Sequence, residues 1–147
     1  MDQTEHPSRK TWRDRQDWFW LTEELARGEG SYLLSEQACA LTADIQAAFC
    51  AGAWIAAIVL STAAMDAVLR EVELPGFAGN TKALVDATTS DPRLHALRKR
   101  RNALVHVDPE EPGITVDQQW ANRPALEAEA RTAIELMFEV FYLSPGT

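Results

Sequence analysis

Apolar residues recur along this chain mostly at spacings of three and four, the mark of helices with one buried face. The last segment is the plainest case. Leu126, Ala130, Ala133, Ile134, Met137, Phe138 and Phe141 fall at i, i+4, i+7, i+8, i+11, i+12 and i+15, which predicts a helix beginning near Pro124. Ala38, Leu41, Ile45, Ala48 and Phe49 form a similar face behind Ser35, a good N-cap residue, and Gly52 marks its end. From Ala53 to about Glu73 nearly every residue is apolar, with Trp54, Ile58, Met65, Leu69 and Val72 on one side, as expected for a helix buried inside a bundle. The breakers from Leu74 to Asn80 predict a loop, and Thr81 to Thr88 a short helix. Asp91-Pro92 is an N-cap followed by proline at the first helical position, so another helix runs from there to about His106. Asp108 to Trp120 reads as a loop, with a short extended piece at Ile114-Thr115-Val116. Near the N-terminus Trp12, Trp18, Phe19 and Trp20 crowd together in a segment, Trp12 to Ala26, that can form a helix ended by Gly28 and Gly30. It reads as a flap anchored on the bundle by aromatic rings rather than as a base-stacking platform.

Four or five helices with short connections predict an all-α, antiparallel bundle. Residues 1–30 form a Trp-rich arm or helix, residues 31–147 the bundle, and there is no internal repeat. Composition supports this reading. The 147 residues are 46% hydrophobic and 24% charged, as in a globular domain, and 23 alanines against 7 glycines and 7 prolines favour helix. The net charge of -8 argues against a generally basic, nucleic-acid-coating protein, so any such role needs a local patch. Cys39 and Cys50 would stand about 16 Å apart on one helix, too far for a disulfide. No C-x-x-C motif is present, and the first ten residues lack the apolar run of a signal peptide, so a cytoplasmic location is expected. The uncharged run from Ile45 to Met65 is long enough to span a bilayer, but it is rich in alanine and has no basic flank on its N-terminal side. It reads as a buried bundle helix.

The local patch lies in Pro92–Val107, which has no acid and holds Arg93, Arg98, Lys99, Arg100 and Arg101 together with His95 and His106. Projected at about 100° per residue, Leu94, Leu97, Leu104 and Val105 share one apolar arc, and Arg101 falls inside it. Asn102 and His106, at i and i+4, sit on its shoulder. A guanidinium in an apolar seam is costly unless it is paired. One solution is structural: an Arg101–Asp66 ion pair that fixes helix register, with His106 capping or stacking. The other is an anionic ligand or a subunit interface.

The run Leu97-Arg98-Lys99-Arg100-Arg101-Asn102-Ala103-Leu104-Val105-His106 resembles the signature of the HEPN superfamily (higher eukaryotes and prokaryotes nucleotide-binding domains), in which Arg, a polar residue, three more residues and His stand late on a helix of an α-bundle. The Ala-rich stretch from Ala56 to Asp66 also looks like the central helix of that family with its acidic residue. The resemblance spans roughly Leu34 to Tyr142 and implies a HEPN-like bundle with metal-independent endoribonuclease activity, formed by two motifs facing one cleft of a homodimer. Many such proteins are toxins or defence effectors, so RNA, a second copy, and a cognate antitoxin or defence-system protein are the implied partners. It requires no cofactor and no membrane. In this reading His106 moves protons, Arg101 stabilises phosphorane charge, and Asn102 orients the phosphate or the imidazole. Arg98, Lys99 and Arg100 guide the RNA backbone, and Asp66 supports the site. One branch of the superfamily carries Tyr two residues after the His, where this chain has Asp108, so tyrosine modification as a switch is not implied. A non-catalytic HEPN module that binds a nucleotide or a protein partner is the alternative. A metal-dependent hydrolase is disfavoured, because none of His6, His95 and His106 has Glu three residues before it.

Overall fold

The computed structural model describes residues 4–88 and 91–145, so residues 1–3 of the Trp-rich arm and residues 89–90 and 146–147 of the bundle lie outside it. The described residues are all-helical, with no strand: α1 (Arg9–Arg27), α2 (Glu36–Ala51), α3 (Trp54–Val68) continued by a π-helical turn (Leu69–Glu73), α4 (Thr81–Thr88), α5 (Pro92–Val105), α6 (Val116–Ala121) and α7 (Arg123–Phe141). Helix α1 begins three residues before the predicted start because the Ser8 side chain accepts from the Thr11 N–H. Ser35 caps α2 in the same way, and Asp91 with Pro92 opens α5. No strand forms at Ile114–Val116. Thr115 and Gln118 instead close a reciprocal capping box that starts α6 inside the predicted loop.

Helices α3 and α7 form the centre. Trp54, Ala57, Ile58, Ala64, Met65 and Val68 of α3 meet Ala130, Ala133, Ile134, Met137 and Phe138 of α7 in one continuous core. Helix α2 packs chiefly on α3, α1 on α7 and α2, and α5 on α3. Among the described residues no helix is long and apolar enough to cross a membrane. The uncharged run is instead broken at Gly52, whose φ of +81° is the left-handed conformation that ends α2 and lets α3 fold back on it.

The aromatic residues of α1 divide between core and surface. Phe19 is fully buried edge-on against Phe138, and Trp18 lies 4.8 Å from the Phe49 ring with Arg131 over its face. Trp12 and Trp20 are exposed, as are Leu21 and Leu25.

The segment before α1 is held by charge. Glu5 receives Arg15 Nη2 at 2.5 Å and Arg123 Nη2 at 2.7 Å. These guanidinium groups also donate to the carbonyls of Cys50 and Gly52 and lie over the buried Trp54 ring. One carboxylate thus joins the N-terminal segment to α1, to the α2–α3 turn and to the start of α7. A side chain at Gly52 would run into the Glu5 carboxylate. Burial pushes the Glu5 carboxyl up, but the hydrogen bonds and charges of Arg123 and Arg15 outweigh it and hold the group below its ordinary value.

Candidate functional site: a cationic cleft beside α5

Helix α5 carries its basic residues around its whole circumference, and its packing sorts them. Leu94 and Leu97 are buried against the core, Leu104 is half-buried and Val105 is exposed, so the last turn extends past the bundle. Arg93 pairs with Asp91 and with Glu139 of α7 at 2.8 Å. Arg100 reaches Glu129 of α7 at 2.9 Å and donates to the Gly113 carbonyl at 2.7 Å. It therefore braces α5 against α7 and the following loop. Gly113 lies so close to the Ala103 carbonyl that no Cβ fits there. Lys99 is exposed.

Arg98 and Arg101 point the other way, into a cleft of about 220 Å³ that Asn102, Thr62, Asp66, Thr81 and Gln37 also line. Four elements thus contribute to it: α2, α3, α4 and α5. The Arg101–Asp66 ion pair, offered by the sequence as the structural solution, does not form. Asp66 Oδ2 accepts from Arg70 Nε at 2.7 Å, and its Oδ1 accepts from the Thr81 hydroxyl at 2.9 Å. Arg70, one helical turn along, reaches the carboxylate first, and it also donates to the Gly79 carbonyl at 2.7 Å. Asp66 therefore ties the α3 end to α4 and to the loop between them. Arg101 donates to the neighbouring Asn102 Oδ1 at 2.9 Å and has no carboxylate within ion-pair distance among the described residues. Arg98 has none either, and its Nε is buried without a hydrogen-bond partner.

His106 is the first residue beyond the helix. Its backbone is extended, its N–H donates to the Asn102 carbonyl at 2.9 Å, and its ring is exposed with no hydrogen-bond partner among the described residues. It borders a separate hollow of about 220 Å³ formed with Val107, Pro112, Gly113 and Ile114. Arg101 and Asn102 thus share one cleft with Arg98 and Asp66, while His106, one turn beyond Asn102, borders the other hollow.

Sequence reasoning missed Gln37, Thr62 and Thr81. Thr62 stands one turn before Asp66 on the same helix and could have been placed by that spacing. Gln37 and Thr81 arrive on other helices and carry no local signal. Among the described residues no group of three or more His, Cys, Asp or Glu side chains could hold a metal ion, and Cys39 and Cys50 are free thiols. No protein-family model matches the chain, and no curated protein and no solved structure matches it either.

Proposed function

We propose that this chain is a HEPN-type, metal-independent endoribonuclease whose working site is composed from two copies. The observation that carries this reading is the state of α5. Among the described residues, two guanidinium groups, Arg98 and Arg101, have no carboxylate within ion-pair distance in a polar cleft, and the same helix ends in an exposed imidazole without a hydrogen-bond partner. Because Arg101 and His106 border different hollows of one protomer, the composite site needs His106 of one copy to approach Arg101 of another. There the RNA 2′-oxygen attacks its neighbouring phosphorus as His106 draws off the hydroxyl proton. The P–O2′ bond forms as the P–O5′ bond breaks, leaving a 2′,3′-cyclic phosphate and a 5′-hydroxyl that takes up a proton. Arg101 stabilises the charge on the non-bridging oxygens, and Asn102, already bonded to it, fixes its fork. Lys99 and Arg98 lie along the approach of the RNA backbone, whereas Arg100 serves the α5–α7 contact. A cytoplasmic toxin or defence effector, restrained by a cognate partner, is the setting this chemistry suits.

That Arg101 and His106 line different hollows favours a second reading: a non-catalytic module of the same family that binds a nucleotide or protein in the cationic cleft. One experiment divides the two. Purified protein is incubated with RNA in EDTA, alongside His106→Ala. Cleavage by the parent and its loss in the variant, with an unchanged far-UV spectrum, support the nuclease. Cleavage that survives His106→Ala eliminates the mechanism, and no cleavage by either leaves the binding module.

A further inference from the structure

We infer that the cleft between α3 and α5 is a binding site for the dianion of a phosphate monoester, complete within one protomer. The inference deepens the reading above, whose Arg101 it shares, but needs neither His106 nor a second copy. The chain carries 22 acidic residues against 14 basic ones, so counter-charges are plentiful. Its fold supplies them to the neighbouring arginines of α5: Arg93 has Asp91 and Glu139, and Arg100 has Glu129. Among the described residues no carboxylate lies within ion-pair distance of Arg98 or Arg101. Among the described residues the one carboxylate lining the cleft, Asp66, is matched by Arg70 and Thr81, which leaves two positive charges facing the same space. Arg98 Nε and Arg100 Nε are both buried without a hydrogen bond among the described residues, but Arg100 Nε has the Glu129 carboxylate at 2.9 Å. Arg98 has no carboxylate within ion-pair distance among those residues, so an anion in the cleft would supply the acceptor that it lacks.

Two uncompensated charges select a dianion over the single charge of an internal phosphodiester. The cleft also opens toward a second hollow of about 430 Å³ that shares Gln37, Ala63 and Asp66 with it and continues to Glu71 and Gly76. A phosphate at the arginines therefore has room beside it for the group it is esterified to. Two sources present that chemistry: a free mononucleotide and the phosphorylated end of an RNA.

Thermal unfolding of the full chain tests the inference. Inorganic phosphate, a nucleoside 5′-monophosphate, and short RNAs bearing either a 5′-phosphate or a 5′-hydroxyl are compared at matched ionic strength. Phosphate and at least one monoester are expected to raise the melting temperature by mass action, with the 5′-hydroxyl RNA weaker by about tenfold or more. A mononucleotide as effective as the phosphorylated RNA identifies free nucleotide as the source, and a preference for the RNA identifies the strand end. Arg98→Gln with Arg101→Gln should remove the shift, Arg98→Lys, which keeps the charge but not the Nε–H, should retain only part of it, and His106→Ala should keep it whether or not RNA is cleaved. Should the double variant not fold, Arg101→Gln alone must weaken binding by about tenfold. No shift with any phosphate, an equal shift in the arginine variants, or equal binding of the 5′-hydroxyl RNA would overturn the inference.

Discussion

Glu5→Gln should loosen the N-terminal segment from the bundle. It keeps the size of the side chain and one carbonyl acceptor but removes the negative charge between Arg15 and Arg123. The surroundings bracket the cost. Exposed ion pairs contribute about 0–1 kcal/mol, and breaking a buried pair costs about 3–5 kcal/mol. The Arg15 side chain is 10% exposed, while Glu5 and Arg123 are each 28% exposed, so this cluster lies between those limits. A loss of about 2 kcal/mol is expected, or roughly 4–8 °C in melting temperature for a chain of this size.

The sign of the pH dependence is also fixed. The folded-state carboxyl is held below its ordinary value, so its contribution is complete above the unfolded value, about 4.3, and is lost as pH falls through the folded one. In urea denaturation the parent and Glu5→Gln should differ by the full amount at pH 7, and the gap should close as the solution is acidified below about pH 4. A double-mutant cycle with Arg123→Gln locates the effect, since Glu5→Gln should cost much less once Arg123 is gone. A gap that stays constant with pH, or no loss at pH 7, would refute the idea that this carboxylate clamps the N-terminal segment to the bundle.

Two other substitutions give separate checks on the fold. Gly52→Ala should destabilise by more than about 1 kcal/mol in denaturant titration, because the residue has a left-handed φ and its new methyl group meets the Glu5 carboxylate. Glu5→Ala in the same chain should recover the steric part only. Ser61 has a fully buried hydroxyl with no partner among the described residues, so Ser61→Ala should be stabilising by about 1 kcal/mol, a rise of roughly 2–4 °C by calorimetry. A fall would mean that the hydroxyl is satisfied in solution.

The helices were legible because their causes are local. Ser35, Gly52, Asp91 and Pro92 act on the residues beside them, and the apolar stripe of α7 states its own buried face. The sixth helix was missed because its Thr115–Gln118 box lies among prolines and carboxylates that suggest only loop. The π-helical turn after Val68 was not legible either; the sequence there reads as continuous helix.

For the candidate site, the ingredients are written in the chain: a helix without acids, an arginine out of place on its apolar arc, an asparagine after it and a histidine at its end. Apart from Arg70, which stands at i+4 from Asp66, the sequence could not decide their partners, because those hydrogen-bond and ion-pair choices depend on which helices pack together. Asp66 and Arg101 looked complementary along the chain, yet Arg70, a single turn away, and Thr81, brought in by α4, take both carboxylate oxygens. Packing likewise assigned Arg93 and Arg100 to carboxylates of α7 and left Arg98 and Arg101 facing Thr62 and Gln37. Residue periodicity specifies which face of a helix is apolar, but charge neutralisation is settled across helices, over distances that only the folded chain defines.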